Sequence, residues 1–196
     1  MLSSIKQRID RDEEGFTLIE LMVVLLIIAI LLAIAIPTFL GARNTANARS
    51  TQENLRNALT AEQTNWTSNQ TFNTGLSNLE PSLNWGTTSP LTTKGGNDVE
   101  VGLFYMSAPG TCTAGVDSNG NADGVVLMGF AKDNNCYAIF QSDNASADFT
   151  AYTEWPSGGS CTMPSSPPAS APSQTTGSAA AHQTSASTSA TWYYSF

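Results

Sequence analysis

A long apolar run with a single carboxylate at its leading edge constrains this chain more than any other feature. Every side chain in residues 21–36 is apolar, and Glu20 is the only charged residue in residues 16–40. As a helix, residues 16–40 would extend about 37 Å, enough to span a bilayer. An ionised side chain at the centre of a membrane helix costs about 2.5–3.5 kcal/mol, and less near an end. Glu20 therefore requires either a position at the lipid headgroups or a positively charged partner.

The helical pattern continues beyond the apolar run. Residues spaced three, four or seven apart form a narrow, mostly apolar stripe, namely Ala48, Leu55, Ala58, Leu59, Glu62 and Trp66. We therefore predict one helix from about residue 17 to about residue 66, apolar on all sides in its first half and amphipathic in its second. Because Pro37 lacks an N–H and clashes with the preceding turn, we expect it to kink this helix.

The rest of the chain has the pattern of short strands. Four segments are rich in β-branched and aromatic residues and are bounded by turn-forming residues, at 99–106, 124–131, 136–141 and 149–153. Their short spacing favours antiparallel pairing, with one sheet face on the amphipathic half of the helix. The predicted fold class is therefore α+β: a long N-terminal helix packed on a small antiparallel sheet.

A low-complexity segment follows the last predicted strand. Residues 162–191 are almost entirely Ser, Thr, Ala, Pro, Gly and Gln and contain no charge. Such a composition cannot bury enough apolar area to offset the entropy of ordering, so we predict a flexible tail over residues 162–196. The last five residues, WYYSF, are apolar. These five residues could dock on the body of the same chain, dock on a neighbouring subunit, or stay frayed.

Composition and motifs argue against catalysis and nucleic-acid binding. Only 12% of the 196 residues are charged, and the formal net charge is −8. Sequence-independent nucleic-acid binding comes from neutralising phosphates, so we expect no direct nucleic-acid binding. The single histidine, His182, lies in low-complexity sequence, and no phosphate loop, metal-ligand cluster or nucleophile with a base is recognisable. We predict no catalytic residue, no enzyme activity and no cofactor.

One acidic turn has a spacing found in calcium loops. In DSNGNADG, oxygen-bearing side chains occupy alternate positions, at Asp117, Asn119, Asn121 and Asp123. An EF-hand loop would require glycine at Ala122 and glutamate at Met128. Since Asn-Gly and Asp-Gly also form ordinary turns, we favour a turn over a metal site.

The residues around the apolar run resemble the prepilin leader and N-terminal helix of type IV pilins. The pseudopilins of type II secretion systems share this motif. The similarity lies in GFTLIELM at residues 15–22, followed by the apolar run and Pro37, and it covers about residues 9–60. Residues 54–72 also look like the lower helix of type IVa pilins.

The resemblance implies how the chain is processed and divided. In this family a prepilin peptidase cuts after the glycine, here Gly15, and the new N-terminal residue, here Phe16, is usually N-methylated. The implied segments are a leader over residues 1–15, a transmembrane and assembly helix over 16–40, a globular pilin domain over 41–161 and the tail over 162–196.

The resemblance implies a role for Glu20 in filament assembly. No lipid headgroups remain inside a bundle of packed helices, and the nearby candidate cation is the new ammonium group of Phe16, supplied by the same chain or by a neighbour. A pair between Glu20 and Phe16 of a neighbouring chain would fix axial register, as a buried polar group does in a coiled coil. The plainer alternative is an interfacial glutamate tolerated in an ordinary membrane anchor.

A type IV pilin is the function that the resemblance implies. The chain would be a single-pass precursor among the lipids of the cytoplasmic (inner) membrane, and then a subunit of a helical homo-oligomeric filament on the cell surface, with adhesion or motility-type roles. Its expected partners are prepilin peptidase and the inner-membrane pilus assembly machinery. A minor pilin or a type II secretion pseudopilin shares every N-terminal feature. A non-polymerising, membrane-anchored extracellular binding protein is the alternative from a different class.

Three cysteines, Cys112, Cys136 and Cys161, follow the apolar run. An exported chain meets oxidising conditions, which favours one disulfide and one odd thiol. Because pilins often close their C-terminal region with such a bond, the resemblance implies Cys136–Cys161, a loop of about 26 residues that contributes about 3 kcal/mol in the chain-entropy model. The sequence leaves Cys112–Cys136 open as the alternative pairing.

Overall fold

The computed structural model describes residues 15–86, 89–95, 97–108, 111–144, 147–164 and 192. In this part of the chain one helix is followed by six strands: α1 (Leu18–Asn69), β1 (Asn84–Gly86), β2 (Asp98–Ala108), β3 (Thr111–Ala114), β4 (Gly124–Phe130), β5 (Asn135–Asn144) and β6 (Ala147–Pro156). The predicted leader before Gly15 and most of the predicted tail lie outside the described residues. The chain divides into two compact units at the bond between Arg43 and Asn44.

In the first unit, α1 is continuous through Pro37. The proline cannot donate a backbone hydrogen bond, so the carbonyl four residues before it loses its usual partner. Immediately afterwards, the Thr38 hydroxyl donates to the carbonyl oxygen of Ile34 at 3.0 Å. Pro37 thus leaves the helix unbroken, and the kink expected there stays a prediction.

In the second unit, α1 packs on the sheet through the predicted stripe. Its buried residues are Thr51, Leu55, Ala58, Leu59, Ala61, Glu62 and Asn65. Of these, Leu55, Ala58 and Leu59 form one apolar cluster with Val99 and Val101 of β2, Val125 and Leu127 of β4, and Ile139 of β5. Each fully buried aliphatic side chain of this size contributes about 1.5–3 kcal/mol, so this stripe fixes the helix on the sheet. The predicted α+β fold is confirmed.

Gly129 of β4 allows the helix to approach the sheet closely. A Cβ atom built at Gly129 would lie 2.7 Å from Cγ2 of Thr51, closer than real Cβ contacts. Any side chain at this position would therefore push α1 away from β4.

The sheet is mixed rather than purely antiparallel. Its strand order is β1-β2-β4-β5-β6, with β3 also paired to β2. β1 runs parallel to β2, whereas the other pairs are antiparallel. The prediction of an antiparallel sheet was therefore incomplete. β1 and β3, with three and four residues, were missed because segments this short show no clear period of two.

Both faces of the sheet are covered, which the sequence analysis did not predict. We call the face opposite α1 the outer face. Strand alternation places a second apolar cluster there, which includes Phe104, Val126, Met128, Phe130, Phe140, Phe149 and Trp155. Leu91, Met163 and Trp192 pack against it. All seven residues of β4 are buried as a result, as expected for a continuous apolar strand such as GVVLMGF.

The disulfide joins Cys136 at the start of β5 to Cys161. This finding confirms the pairing implied by the resemblance and excludes Cys112–Cys136. The backbones of Cys161 and Leu91 exchange two hydrogen bonds, each at 2.8 Å. The bond therefore ties the segment after β6 and the loop around Leu91 to the outer face.

Two aspartates face each other where β5 meets β6. Asp143 lies directly opposite Asp148 in the antiparallel register. Burial and, secondarily, the negative charge of Asp148 raise the pKa of Asp143. Like charges at directly opposite positions destabilise a sheet.

We expect Asp148→Asn to raise the free energy of unfolding by about 0.5 kcal/mol near neutral pH, because it removes this repulsion. Near pH 2 the gain should vanish, because Asp143 is then protonated and carries no charge to be repelled. Urea denaturation of the two proteins at each pH measures the effect. A gain of equal size at low pH would show that charge is not its cause.

Candidate functional site

The start of α1 is a capping box formed by Thr17 and Glu20. The backbone N–H and the hydroxyl of Thr17 both donate to Oε2 of Glu20, at 2.9 and 2.7 Å. In return, the backbone N–H of Glu20 donates to Oγ1 of Thr17 at 3.3 Å. Thr17 is thus the N-cap residue and Glu20 the third helical residue, in the reciprocal arrangement of a T-x-x-E sequence.

This capping box explains part of what the carboxylate does. Glu20 lies in the first turn, where the helix dipole favours a negative charge, and a Thr cap stabilises a helix by about 1 kcal/mol. The apolar run predicted only that Glu20 needs a counter-charge, and the role of Thr17 was missed. The signal was present, because a threonine three residues before a glutamate at the start of an apolar run is a helix-start signature. The donors from Thr17 are neutral, so they do not compensate the charge of Glu20.

The predicted cleavage point lies just before the helix. Gly15, Phe16 and Thr17 are not helical. A Cβ atom at Gly15 would meet nothing within 4 Å, and the side chain of Phe16 is 86% exposed. The Gly15–Phe16 bond is therefore accessible, and its hydrolysis would place an ammonium group one residue before the cap. Cleavage after Gly15, methylation of Phe16 and pairing of Phe16 with Glu20 stay predictions.

The first half of α1 presents apolar side chains on every side. Seventeen of the described residues from 18 to 40 are large hydrophobic side chains at least 46% exposed within the chain. α1 contains a stretch long and apolar enough to cross a membrane, and none of that stretch is buried. A continuous exposed apolar surface of this size is the mark of a membrane or protein interaction site. The first half of α1 is thus suited to a lipid environment or to packing against other apolar helices.

Comparison with known proteins identifies the N-terminal segment. Residues 10–36 match a family model described as the prokaryotic N-terminal methylation motif. The N-terminus of this chain carries the methylation motif of prokaryotic pilins. The matched residues include Gly15, Phe16 and Glu20 as well as most of the apolar run. The resemblance to type IV pilins is confirmed over this segment.

One curated relative supports the same conclusion. Over 37 residues the chain is 60% identical to the type IV wide pilus major component PilA4 of Thermus thermophilus. The alignment covers 19% of this chain and 28% of that pilin. No solved structure matches the chain significantly. The detected similarity therefore lies in the N-terminal segment.

The acidic turn between β3 and β4 has the geometry of an ordinary turn. Oδ1 of Asp117 accepts the backbone N–H groups of Asn119 and Asn121, both at 2.8 Å. The N–H of Gly120 donates to the carbonyl oxygen of Asp117 at 3.1 Å. A side-chain oxygen that a calcium loop would supply is thus engaged in the turn itself. Within the described ranges, no group of three or more His, Cys, Asp or Glu residues could hold a metal ion, and His182 lies outside those ranges.

Glu62 is a buried carboxyl group whose importance the sequence did not reveal. Its side chain is fully buried on the sheet-facing side of α1. Oε2 accepts the backbone N–H of Asn73 at 3.2 Å, and Oε1 has no hydrogen-bond partner. Burial raises the pKa of Glu62 to about 7, against the lowering effect of the Asn73 hydrogen bond. The protonation state of Glu62 therefore changes near neutral pH, where surface glutamates are ionised.

Proposed function

We propose that this chain is a type IV prepilin, the structural subunit of a surface filament. The observation that carries this proposal is the methylation motif, in which an accessible Gly15–Phe16 bond directly precedes a capped apolar helix. The similarity of the N-terminal segment to a pilus component of Thermus thermophilus supports it. We infer that the precursor is held in the cytoplasmic (inner) membrane by residues 16–40, and that prepilin peptidase removes residues 1–15.

The apolar first half of α1 would have two successive environments, the membrane and the filament. In the membrane, its exposed apolar side chains are solvated by lipid. In the filament, they pack against the helices of neighbouring copies, where no water or headgroup reaches Glu20. The ammonium group of Phe16, created by cleavage, would then neutralise Glu20, because residues 16–42 contain no Lys, Arg or His. A cross-subunit pair of this kind would select one axial register, since any other register leaves a charge buried and unpaired.

The second unit would supply the surface properties of the filament. It contains the sheet and the disulfide, and residues 44–196 carry 11 Asp and Glu against 4 Lys and Arg. Adhesion or motility-type roles of the filament would depend on this surface and on the inner-membrane assembly machinery. An extracellular position is consistent with the disulfide, since such bonds persist in oxidising compartments.

The experiment that tests this proposal is mass spectrometry of the N-terminus of the protein in sheared surface filaments. We expect the filament subunit to begin at Phe16 and to carry one methyl group on its amine. Membranes from cells that lack prepilin peptidase serve as the control and should contain the chain beginning at Met1. Filaments that lack this chain, or contain it with residues 1–15 attached, would contradict the proposal. Abundance in the filament separates a major pilin from a minor pilin or a pseudopilin.

A further inference from the structure

Phe140 is the centre of an aromatic cluster on the outer face. Its ring centroid lies 5.5 Å from that of Phe149 on β6 and 6.4 Å from that of Phe104 on β2. The ring of Trp192 completes the cluster, with its centroid 6.0 Å from Phe140 and the two planes at 63°. Separations and tilts of this kind are favourable for aromatic pairs. Trp192, the fifth residue from the end of the sequence, thus packs on the outer face at β5.

Trp192 is held on the outer face by apolar contacts alone. Its side chain packs against the outer-face cluster, but its indole Nε1 is buried and has no hydrogen-bond partner. An indole N–H normally finds an acceptor when it is buried, and leaving it unpaired opposes docking. The site therefore recognises the ring and gains nothing from the polar end of the side chain.

The outer face also holds most of the unpaired buried polar atoms of the described chain. They are Oε2 of Glu100, Oγ of Ser142, Oγ1 of Thr153 and Nε1 of Trp192. The remaining atom, Oε1 of Glu62, lies between α1 and the opposite face of the sheet. Strand alternation places Glu100, Ser142 and Thr153 on the same face as the aromatic cluster. Water would satisfy these atoms if the cover opened, so their desolvation opposes closure. Among the described residues, the outer face therefore carries more unpaired buried polar atoms than the face that packs on α1.

We propose that the outer face around Phe140 is a binding site for an aromatic C-terminal segment, and that its occupant is the segment of this chain that carries Trp192. The site is formed by rings from β2, β5 and β6, and the segment that carries Trp192 has the apolar sequence WYYSF. The segment after β6 is held to the same face by the Cys136–Cys161 bond, whereas Trp192 is held without a covalent bond. The site is independent of the proposed role in a filament.

A peptide with the sequence of residues 187–196 provides the test. It carries a fluorophore at its N-terminus, and its binding to the full-length chain in mild detergent is followed by fluorescence anisotropy. We expect saturable binding to the Trp192→Ala chain and at least tenfold weaker binding to the unmodified chain, whose own Trp192 fills the site. The Trp192→Phe chain should also exclude the peptide, because it keeps an aromatic ring, although a smaller one that lacks the N–H. A peptide with alanine at the tryptophan position and detergent without protein are the matched controls.

Two results would overturn the proposal. Equal binding to the unmodified and Trp192→Ala chains would place the peptide elsewhere, and no binding to a Trp192→Ala chain with an intact disulfide would show that no site exists. If the Trp192→Ala chain fails to form the Cys136–Cys161 bond, the peptide is added during refolding. Restored disulfide formation would then support the site, and failure to restore it would count against the site.

Discussion

Replacing Glu20 with alanine is expected to leave the protein in the membrane while reducing surface filaments at least tenfold. Insertion should be unaffected because the change removes a charge from an apolar helix. In the proposed filament, however, the ammonium group of Phe16 would be left buried without a partner. Removing one member of a buried ion pair costs about 3–5 kcal/mol, which corresponds to a factor of more than about 100 in a binding constant. Immunoblots of sheared filaments and of membranes measure the two pools.

Two further variants separate the charge of Glu20 from its role in the capping box. Glutamine at this position can still accept the hydrogen bonds of Thr17, since capping boxes use either Glu or Gln. If charge is what assembly requires, Glu20→Gln should lose filaments as severely as Glu20→Ala. Thr17→Ala keeps the charge and removes the cap, which costs about 1 kcal/mol of helix stability, so it should retain most filaments.

Normal piliation in Glu20→Gln together with strong loss in Thr17→Ala would reverse this assignment. Glu20 would then act as a helix cap rather than as a counter-charge. Normal piliation in Glu20→Ala would exclude both roles and would favour an ordinary membrane anchor.

Glu62 should make the stability of the second unit depend on pH. The folded-state pKa of Glu62 is about 7, above its ordinary value of 4.5, so the folded protein binds an extra proton between these values. Its contribution to stability is fully present below pH 4.5 and is lost as the pH rises through 7. A difference of this size corresponds to a loss of about 3 kcal/mol in the free energy of unfolding. We expect Glu62→Gln to remove this part of the pH dependence.

Urea denaturation near pH 5 and near pH 8, followed by tryptophan fluorescence in mild detergent, measures this effect. Burial also raises the pKa of Glu100 and of Asp143, so the unmodified chain should retain some pH dependence from other groups. The informative quantity is therefore the difference between the unmodified chain and Glu62→Gln at each pH. Glu53→Gln, at an exposed position of the same helix, is the control and should change nothing. A Glu62→Gln chain with an unchanged pH profile would show that Glu62 is hydrated or paired in solution.

The amphipathic half of α1 shows how far sequence patterns reach. Leu55, Ala58 and Leu59 were predicted to face the core, and they are buried against the sheet. This prediction succeeds because helical periodicity is a local property that depends only on residues three or four apart. Glu62 was placed on the same stripe, but its unpaired oxygen and shifted pKa depend on Asn73 and on burial, which spacing does not encode.

The outer face shows where sequence patterns fail. Its cover consists of Leu91, Met163 and Trp192, three residues far apart in sequence that meet only when the strands have paired. The run GVVLMGF lacks apolar/polar alternation, which is typical of a strand covered on both faces, but it does not indicate which residues form the second cover. The parallel pairing of β1 with β2 was missed for the same reason, since it joins a three-residue segment to a strand that begins twelve residues later.

The sequence alone determined the long helix, its apolar first half, the position of Glu20 and the similarity to pilins, because each of these depends on neighbouring residues. Only the tertiary structure decided the disulfide pairing among three cysteines, the cover of the outer face, the seat of Trp192 and the burial of Glu62. These features depend on which distant segments come into contact. Such contacts are selected by the total apolar area that the whole chain can bury, and no local pattern of residues specifies them.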